Sequence, residues 1–141
     1  MTPEINYWAV LVSALASMVI GSLWYGPLFG KTWMRLASVG HDAMETAKRR
    51  GMWKLYLVAF IGSFLMAFTI DHSLIFGNAF LGMSGVWAGL QGAFWLWLGF
   101  FVPVTAGAYL WEGKSLKLWT LNAAYYLVVL GVMGMILTAW V

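Results

Sequence analysis

Residue types suited to acid–base chemistry occur in two stretches of the sequence, residues 24–31 and 109–126. Glu112 would act as the acid or base. Tyr25, Tyr109 and Asn122 would position a substrate beside it. The alternative is structural, a belt of aromatic side chains plus an ion pair that fixes a tight loop. We call these candidates the Glu112 cluster: Trp24, Tyr25, Lys31, Tyr109, Glu112, Lys117, Asn122 and Tyr126.

A second group of candidates, the Asp71 cluster, consists of Asp71, His72 and Gln91. Ionisable side chains in apolar segments are functional candidates, and Asp71 with His72 suits proton transfer or the mouth of a pathway. The structural alternative is a hydrated helix end at Asp71 and an interhelical hydrogen bond from Gln91.

Residues that hold metals or cofactors are scarce. The chain has no cysteine, and its two histidines, His41 and His72, are far apart in the sequence. There is no phosphate-binding glycine loop, dinucleotide fingerprint or His-Glu-x-x-His helix. We therefore expect neither a metal site nor a cofactor.

The composition identifies the environment of these clusters. Of the 141 residues, 62% are hydrophobic and only 9% are charged, whereas soluble domains have about 25% charged residues. So few charges exclude a soluble enzyme domain, a disordered tail and a nucleic-acid binder. This composition is typical of an integral membrane protein.

The spacing of the charges predicts an all-α polytopic membrane protein with four transmembrane helices in an up-down bundle. A span needs about 20 apolar residues, and a turn at Gly77-Asn78 divides the long central apolar region. No carboxylate falls at the midplane, which argues against a small proton-coupled exporter. The predicted spans are residues 6–29, 53–76, 85–111 and 118–140, in one domain covering 1–141, and residues 31–52 form a loop with a short amphipathic helix.

The basic residues predict the orientation. All eight Lys and Arg fall in residues 31–54 and 114–117, on one side of the four spans. By the positive-inside rule this side is cytoplasmic, which places the Glu112 cluster inside and both termini outside a bacterial plasma membrane. Membrane lipids are the expected partners, with anionic head groups near Lys48, Arg49 and Arg50. No nucleic-acid partner is expected.

Small residues and prolines indicate how the helices pack. Stripes of Gly, Ala and Ser at four-residue spacing, such as Ser13 and Ser17, allow close backbone approach within the bundle. Because four spans form a thin bundle, we also expect a homo-oligomer. Pro103 should kink the third span, and Pro27 between two glycines should distort the end of the first.

Two motifs of the chain are distinctive. The first is Leu-Trp-Tyr-Gly-Pro-Leu-Phe-Gly-Lys at residues 23–31, followed by Trp33 and Met34. The second is Glu-Gly-Lys-Ser-Leu-Lys-Leu-Trp at residues 112–119, followed by Leu121, Asn122, Ala123 and Tyr125. Together they resemble a bacterial membrane family catalogued as domain of unknown function 1761, whose members often carry a His where this chain has Tyr126. The resemblance implies four helices in the same order and no established activity.

Two functions remain open. The first is a non-enzymatic oligomeric protein for binding, transport or scaffolding, with its polar site at the cytoplasmic leaflet. The second is a small membrane enzyme acting on a lipid-like substrate at that interface. In either case we expect Glu112 to be ionised and paired with Lys114, Lys117 or Lys31, because an unpaired carboxylate at the hydrocarbon edge is costly.

The orientation is testable with topology reporters. We expect a reporter fused to the C-terminus to be active outside the cytoplasm, and one inserted within residues 42–50 to be active inside it. The reason is that all eight basic residues lie on one side of the spans. A cytoplasmic C-terminus would contradict both the orientation and the inner location of the Glu112 cluster.

Overall fold

The computed structural model describes residues 4–140, and no β-strand occurs among them. It confirms an all-α membrane protein with four helices long and apolar enough to span a bilayer: Tyr7–Leu28, Met52–Leu81, Gly85–Leu110 and Leu116–Ala139. The α-helical elements are α1 (Tyr7–Leu23), α2 (Gly30–Leu36), α3 (His41–Arg50), α4 (Met52–Leu81), α5 (Gly85–Leu96), α6 (Val102–Leu110) and α7 (Leu116–Ala139).

The second span is longer than predicted. Helix α4 passes through Gly77-Asn78, where the sequence predicts a turn, and ends at Leu81. Gly82 then adopts a left-handed conformation (φ 63°), and its N–H donates to the Asn78 carbonyl at 3.0 Å. Turn-forming residues remain helical here because an apolar environment offers the backbone no water as an alternative partner.

Consecutive spans are neighbours in the bundle. Helix α1 packs on α4 and α7, and α5 packs most closely on α7. All Lys and Arg lie at one end, which we call the basic end. The buried core lies towards the opposite end, around Val10, Ala67, Ile70, Val129 and Met133. The bundle is therefore closed at the opposite end and less tightly packed at the basic end.

Small residues allow the closest helix contacts. A Cβ on Gly89 would overlap the carbonyl group of Gly134, and a Cβ on Gly134 would overlap that of Gly89. Between α1 and α4, the hydroxyls of Ser17 and Ser63 hydrogen-bond at 3.1 Å. Most residues of the predicted stripes, such as Ser13, Ser63 and Gly89, thus lie inside the subunit, where they replace bulky side chains at the crossings.

Each of the prolines at 27 and 103 lies within or just after a π-helical turn. In Trp24–Leu28 the Phe29 N–H donates to the Trp24 carbonyl at 2.9 Å, and Gly26 leaves helical geometry (φ −110°, ψ −106°). A second π-helical turn, Trp97–Phe101, precedes Pro103. The wider turn accommodates a proline ring that would clash with the carbonyl four residues earlier.

The loop between the first two spans contains two helices. The predicted amphipathic helix is α3, which begins after Gly40, so Asp42 lies in its first turn and does not cap it. Helix α2 before it was not predicted. The one ion pair among residues 4–140 joins Glu45 and Arg49 on α3 at 4.0 Å, and both side chains are exposed.

The contact between α5 and α7 is expected to dominate stability. Gly89→Ala should lower the free energy of unfolding by about 1–3 kcal/mol, since the added methyl group forces two backbones apart. Thermal unfolding in detergent measures the change. Gly77→Ala is the matched control, because a Cβ there meets no atom within 4 Å. Equal melting temperatures for the two variants would contradict this role of Gly89.

Candidate functional site

The main concave surface lies between α4 and the third span, and we call it the α4–α6 cleft. It joins a cavity of about 830 Å³ near the basic end to one of about 840 Å³ further in, and both are lined by Phe101, Thr105 and Tyr126. On α4 the wall runs from Leu55 to Ser73, roughly 27 Å of helix at 1.5 Å per residue. The cleft is thus long enough for an extended alkyl chain.

The cleft is open because the basic halves of α4 and α6 do not pack together. Every residue of α6 is at least partly exposed, and on α4 burial begins only at Ser63. Exposed apolar side chains such as Tyr56 and Val104 border the opening. Because these helices belong to spans long and apolar enough to cross a membrane, we expect the open side to face lipid.

A third cavity, of about 520 Å³, adjoins the cleft between α1 and α4. It shares Tyr25, Tyr56, Ala59 and Tyr126 with the cavity near the basic end. Tyr126 therefore borders all three cavities. Its ring packs edge-on against Tyr125, at 4.9 Å between centroids, and in a tilted arrangement against Phe101, at 4.6 Å, which fixes its position at their junction.

Two hydrogen bonds join polar side chains of the cleft. The Tyr25 hydroxyl donates to Asn122 Oδ1 at 2.7 Å, tying the π-helical turn of the first span to α7. Trp119 Nε1 donates to Thr105 Oγ1 at 3.0 Å, tying α7 to α6. These neutral pairs satisfy groups that would otherwise be exposed to hydrocarbon.

Gly30 fixes the position of Tyr25. A Cβ on Gly30 would lie 2.7 Å from the Tyr25 carbonyl oxygen, so only glycine lets α2 start this close to the π-helical turn. The Tyr25 ring then packs edge-on against Trp33 and Tyr125, at 5.5 and 4.9 Å between centroids. The start of α2 at Gly30 and the rings of Trp33 and Tyr125 thus fix the position of Tyr25, and its hydroxyl reaches Asn122 from this position.

The structure brings together only part of the Glu112 cluster. Tyr25, Asn122 and Tyr126 line the cleft, together with Trp33, Ala59, Thr105, Lys114 and Trp119, which sequence reasoning did not assign to a site. Trp24 is turned towards Phe29 and Tyr125, and its buried Nε1 has no partner among the described residues. Trp24 does not line the cleft, and neither do the other four members of the cluster, Lys31, Tyr109, Glu112 and Lys117.

The prediction that Glu112 forms an ion pair is wrong. Glu112 lies in the exposed turn between α6 and α7, and it contacts no Lys or Arg of the described chain as an ion pair. An exposed carboxylate is solvated by water, so it needs no cation, and an exposed pair contributes little. The expectation that Glu112 holds this hairpin together therefore loses its basis.

The Asp71 cluster does not converge on one point. Asp71 is 7% exposed, and its Oδ2 has no partner within residues 4–140. His72 Nδ1 lies 2.8 Å from the Phe68 carbonyl oxygen, one turn back on α4. Gln91 lines a separate cavity of about 220 Å³ with Asn78, and that lining includes neither Asp71 nor His72.

The sequence profile of a family described as protein of unknown function (DUF1761) matches residues 8–138. The chain belongs to this family. The match includes both motifs, and with them the Tyr25–Asn122 pair and Lys114. No curated protein and no solved structure matches the chain. Membership in a family of unknown function does not specify an activity, so the cleft is the main structural guide to function.

Metal chemistry gains no support from the described residues. Within residues 4–140 no three His, Cys, Asp or Glu side chains lie close enough to hold a metal ion. The cleft can instead offer aromatic walls, hydroxyl and amide groups, and one ammonium group, that of Lys114.

The Tyr25–Asn122 hydrogen bond is testable by a double-mutant cycle. Tyr25→Phe should lower the free energy of unfolding by about 0.5–1.5 kcal/mol, because it leaves the Asn122 amide oxygen unpaired. Asn122→Ala should cost less in the Tyr25→Phe background than in the parent, by about 0.6 kcal/mol. Thermal or denaturant unfolding in detergent measures both.

Tyr109→Phe is the control, since the Tyr109 side chain is half-exposed and its hydroxyl makes no hydrogen bond within the described chain. It should melt like the parent. Strictly additive costs for the Tyr25 and Asn122 substitutions would show that this bond does not stabilise the fold.

Proposed function

We propose that the protein is a non-enzymatic membrane protein whose α4–α6 cleft binds the alkyl chain of a lipid-like amphiphile. The observation that supports this most is the shape and lining of the cleft. Two joined cavities of about 830 and 840 Å³ are bordered mainly by apolar and aromatic side chains, with a few polar groups near the basic end. Small-molecule sites have this size and composition.

The lining argues for binding over acid–base catalysis. No Asp, Glu or His lines the three cavities among the residues that the structure describes. The enzyme hypothesis depended on Glu112 as acid or base, and Glu112 lies outside the cleft in an exposed turn. The remaining neutral polar groups are hydroxyls, an amide and indole N–H groups, and some of them are paired, as in Tyr25–Asn122 and Trp119–Thr105. Such groups position a ligand and are poor proton donors at neutral pH.

We place the polar mouth of the cleft in the cytoplasmic leaflet of a plasma membrane, with both termini outside. The basis is the location of all Lys and Arg at the end where Lys114 borders the cleft. Cytoplasmic loops carry this excess of basic residues.

Self-association is a further part of the proposal. Most residues of the small-residue stripes are buried within the subunit, which leaves few of them to contact a second copy. Gln91 is the better candidate: it is exposed on an apolar helix, with Trp87 and Trp95 one turn before and after it, and its amide has no partner in the described chain. A second copy offers the same amide, and such interhelical hydrogen bonds stabilise membrane assemblies.

Filling the cleft should abolish binding. Ala59→Phe adds a ring at a wall shared by two cavities, and we expect it to reduce phospholipid retained in mild detergent at least tenfold. Native mass spectrometry with added phospholipid measures bound lipid per chain, and the same spectra report the number of subunits.

Val58→Phe is the matched control. Val58 neighbours Ala59, is 69% exposed and does not line the cavities, so its substitution should leave retained lipid unchanged. Equal retention by the two variants would contradict a site in the cleft. Monomers at every protein concentration would contradict self-association.

A further inference from the structure

Among residues 4–140, Lys114 is the one charged side chain that lines the cleft. Its backbone N–H donates to the Ala108 carbonyl at 3.2 Å, and Gly113 before it has a positive φ of 70°. The turn therefore folds back over the end of α6. This fixes the backbone of Lys114 at the mouth of the cleft, on the basic end.

The ammonium group of Lys114 is available to a ligand. It forms no ion pair within residues 4–140, where the one pair is Glu45–Arg49 on α3. The nearest carboxylate in the sequence, Glu112, does not line the cleft. A lysine at the edge of an apolar cleft, without a carboxylate to neutralise it, favours a negatively charged group beside it.

The charge of the whole end acts in the same direction. Eight Lys and Arg lie there, against the three carboxylates of Asp42, Glu45 and Glu112. A basic surface next to a membrane attracts anionic head groups by about 1 kcal/mol per basic residue. Deeper in the cleft the neighbours of Lys114 are apolar or internally paired, such as Leu118, Phe101 and the Tyr25–Asn122 pair. The complementary ligand thus has one anionic end and an alkyl chain.

We propose that the ligand of the α4–α6 cleft is an anionic phospholipid, with its head-group phosphate at Lys114 and an acyl chain along α4. This inference rests on the proposed binding function and names its ligand class. A zwitterionic phospholipid has the same phosphate, but it brings its own cation to the mouth and gains less from a second one. The site should therefore prefer phosphatidylglycerol to phosphatidylcholine.

The test compares these two lipids with identical acyl chains. Native mass spectrometry of the full chain gives the fraction bound as each lipid is titrated. We expect the parent to prefer phosphatidylglycerol by roughly fivefold, which corresponds to one lysine at the membrane surface. Lys114→Gln should remove this preference, and Lys114→Arg should retain it.

Lys117→Gln is the matched control, because it removes the same charge from the same end at a residue that does not line the cleft. It should keep the preference. An equal loss in Lys117→Gln and Lys114→Gln would overturn the proposal in favour of diffuse surface attraction. Equal binding of both lipids by the parent would overturn it as well.

Two further arms separate the ligand class from the binding function. If Ala59→Phe lowers binding of both lipids while the parent shows no preference, the cleft is a lipid site and the anionic assignment fails. If Ala59→Phe lowers neither, the binding function itself fails. If inorganic phosphate alone raises the parent's melting temperature as much as phosphatidylglycerol does, the site recognises a free anion and the lipid assignment is wrong.

Discussion

The backbone contact between Gly89 and Gly134 is the constraint on which the rest of the bundle depends. With no side chain on either residue, α5 lies against α7 more closely than any other pair of spans. That contact lies towards the closed end of the bundle, where the third span packs against α7. Beyond the π-helical turn before Pro103, the span continues as α6 without packing on α4. One closed end and one open flank follow from the same arrangement.

Neutral hydrogen bonds then determine the form of the open end. Tyr25 joins Asn122, Trp119 joins Thr105, and Trp97 Nε1 donates to the Ala123 carbonyl at 2.9 Å. Each of these links connects a neighbouring element to α7. The α7 side of the cleft is therefore firmly fixed, whereas the basic half of α4 on the other side makes few contacts with the rest of the bundle. Because segments with few buried contacts open most readily, the basic half of α4 is the part of this fold that should open first.

Charge spacing in the sequence was enough to predict the class, the number of spans and the two ends of the bundle. It placed Tyr25, Asn122 and Tyr126 at one depth, and they do line one cleft. Ala59, Thr105 and Trp119 were missed because depth says nothing of rotation about a helix axis, which only packing decides. The end of α4 was misplaced because Gly77-Asn78 forms turns in water, where the backbone has other partners. The Glu112 pair failed for a related reason: its depth suggested the hydrocarbon edge, but the turn is exposed.

The open flank of the cleft determines how the proposed binding of an alkyl chain would depend on the membrane. A pocket facing water gains about 0.8 kcal/mol for each CH₂ group that it removes from water. An acyl chain that enters through this flank leaves one hydrocarbon surrounding for another, so its length contributes almost nothing to the net free energy. The effective concentration of ligand is then its mole fraction among the lipids beside the protein. Occupancy would follow the composition of the membrane, and only the few polar atoms at the mouth would discriminate between its lipids.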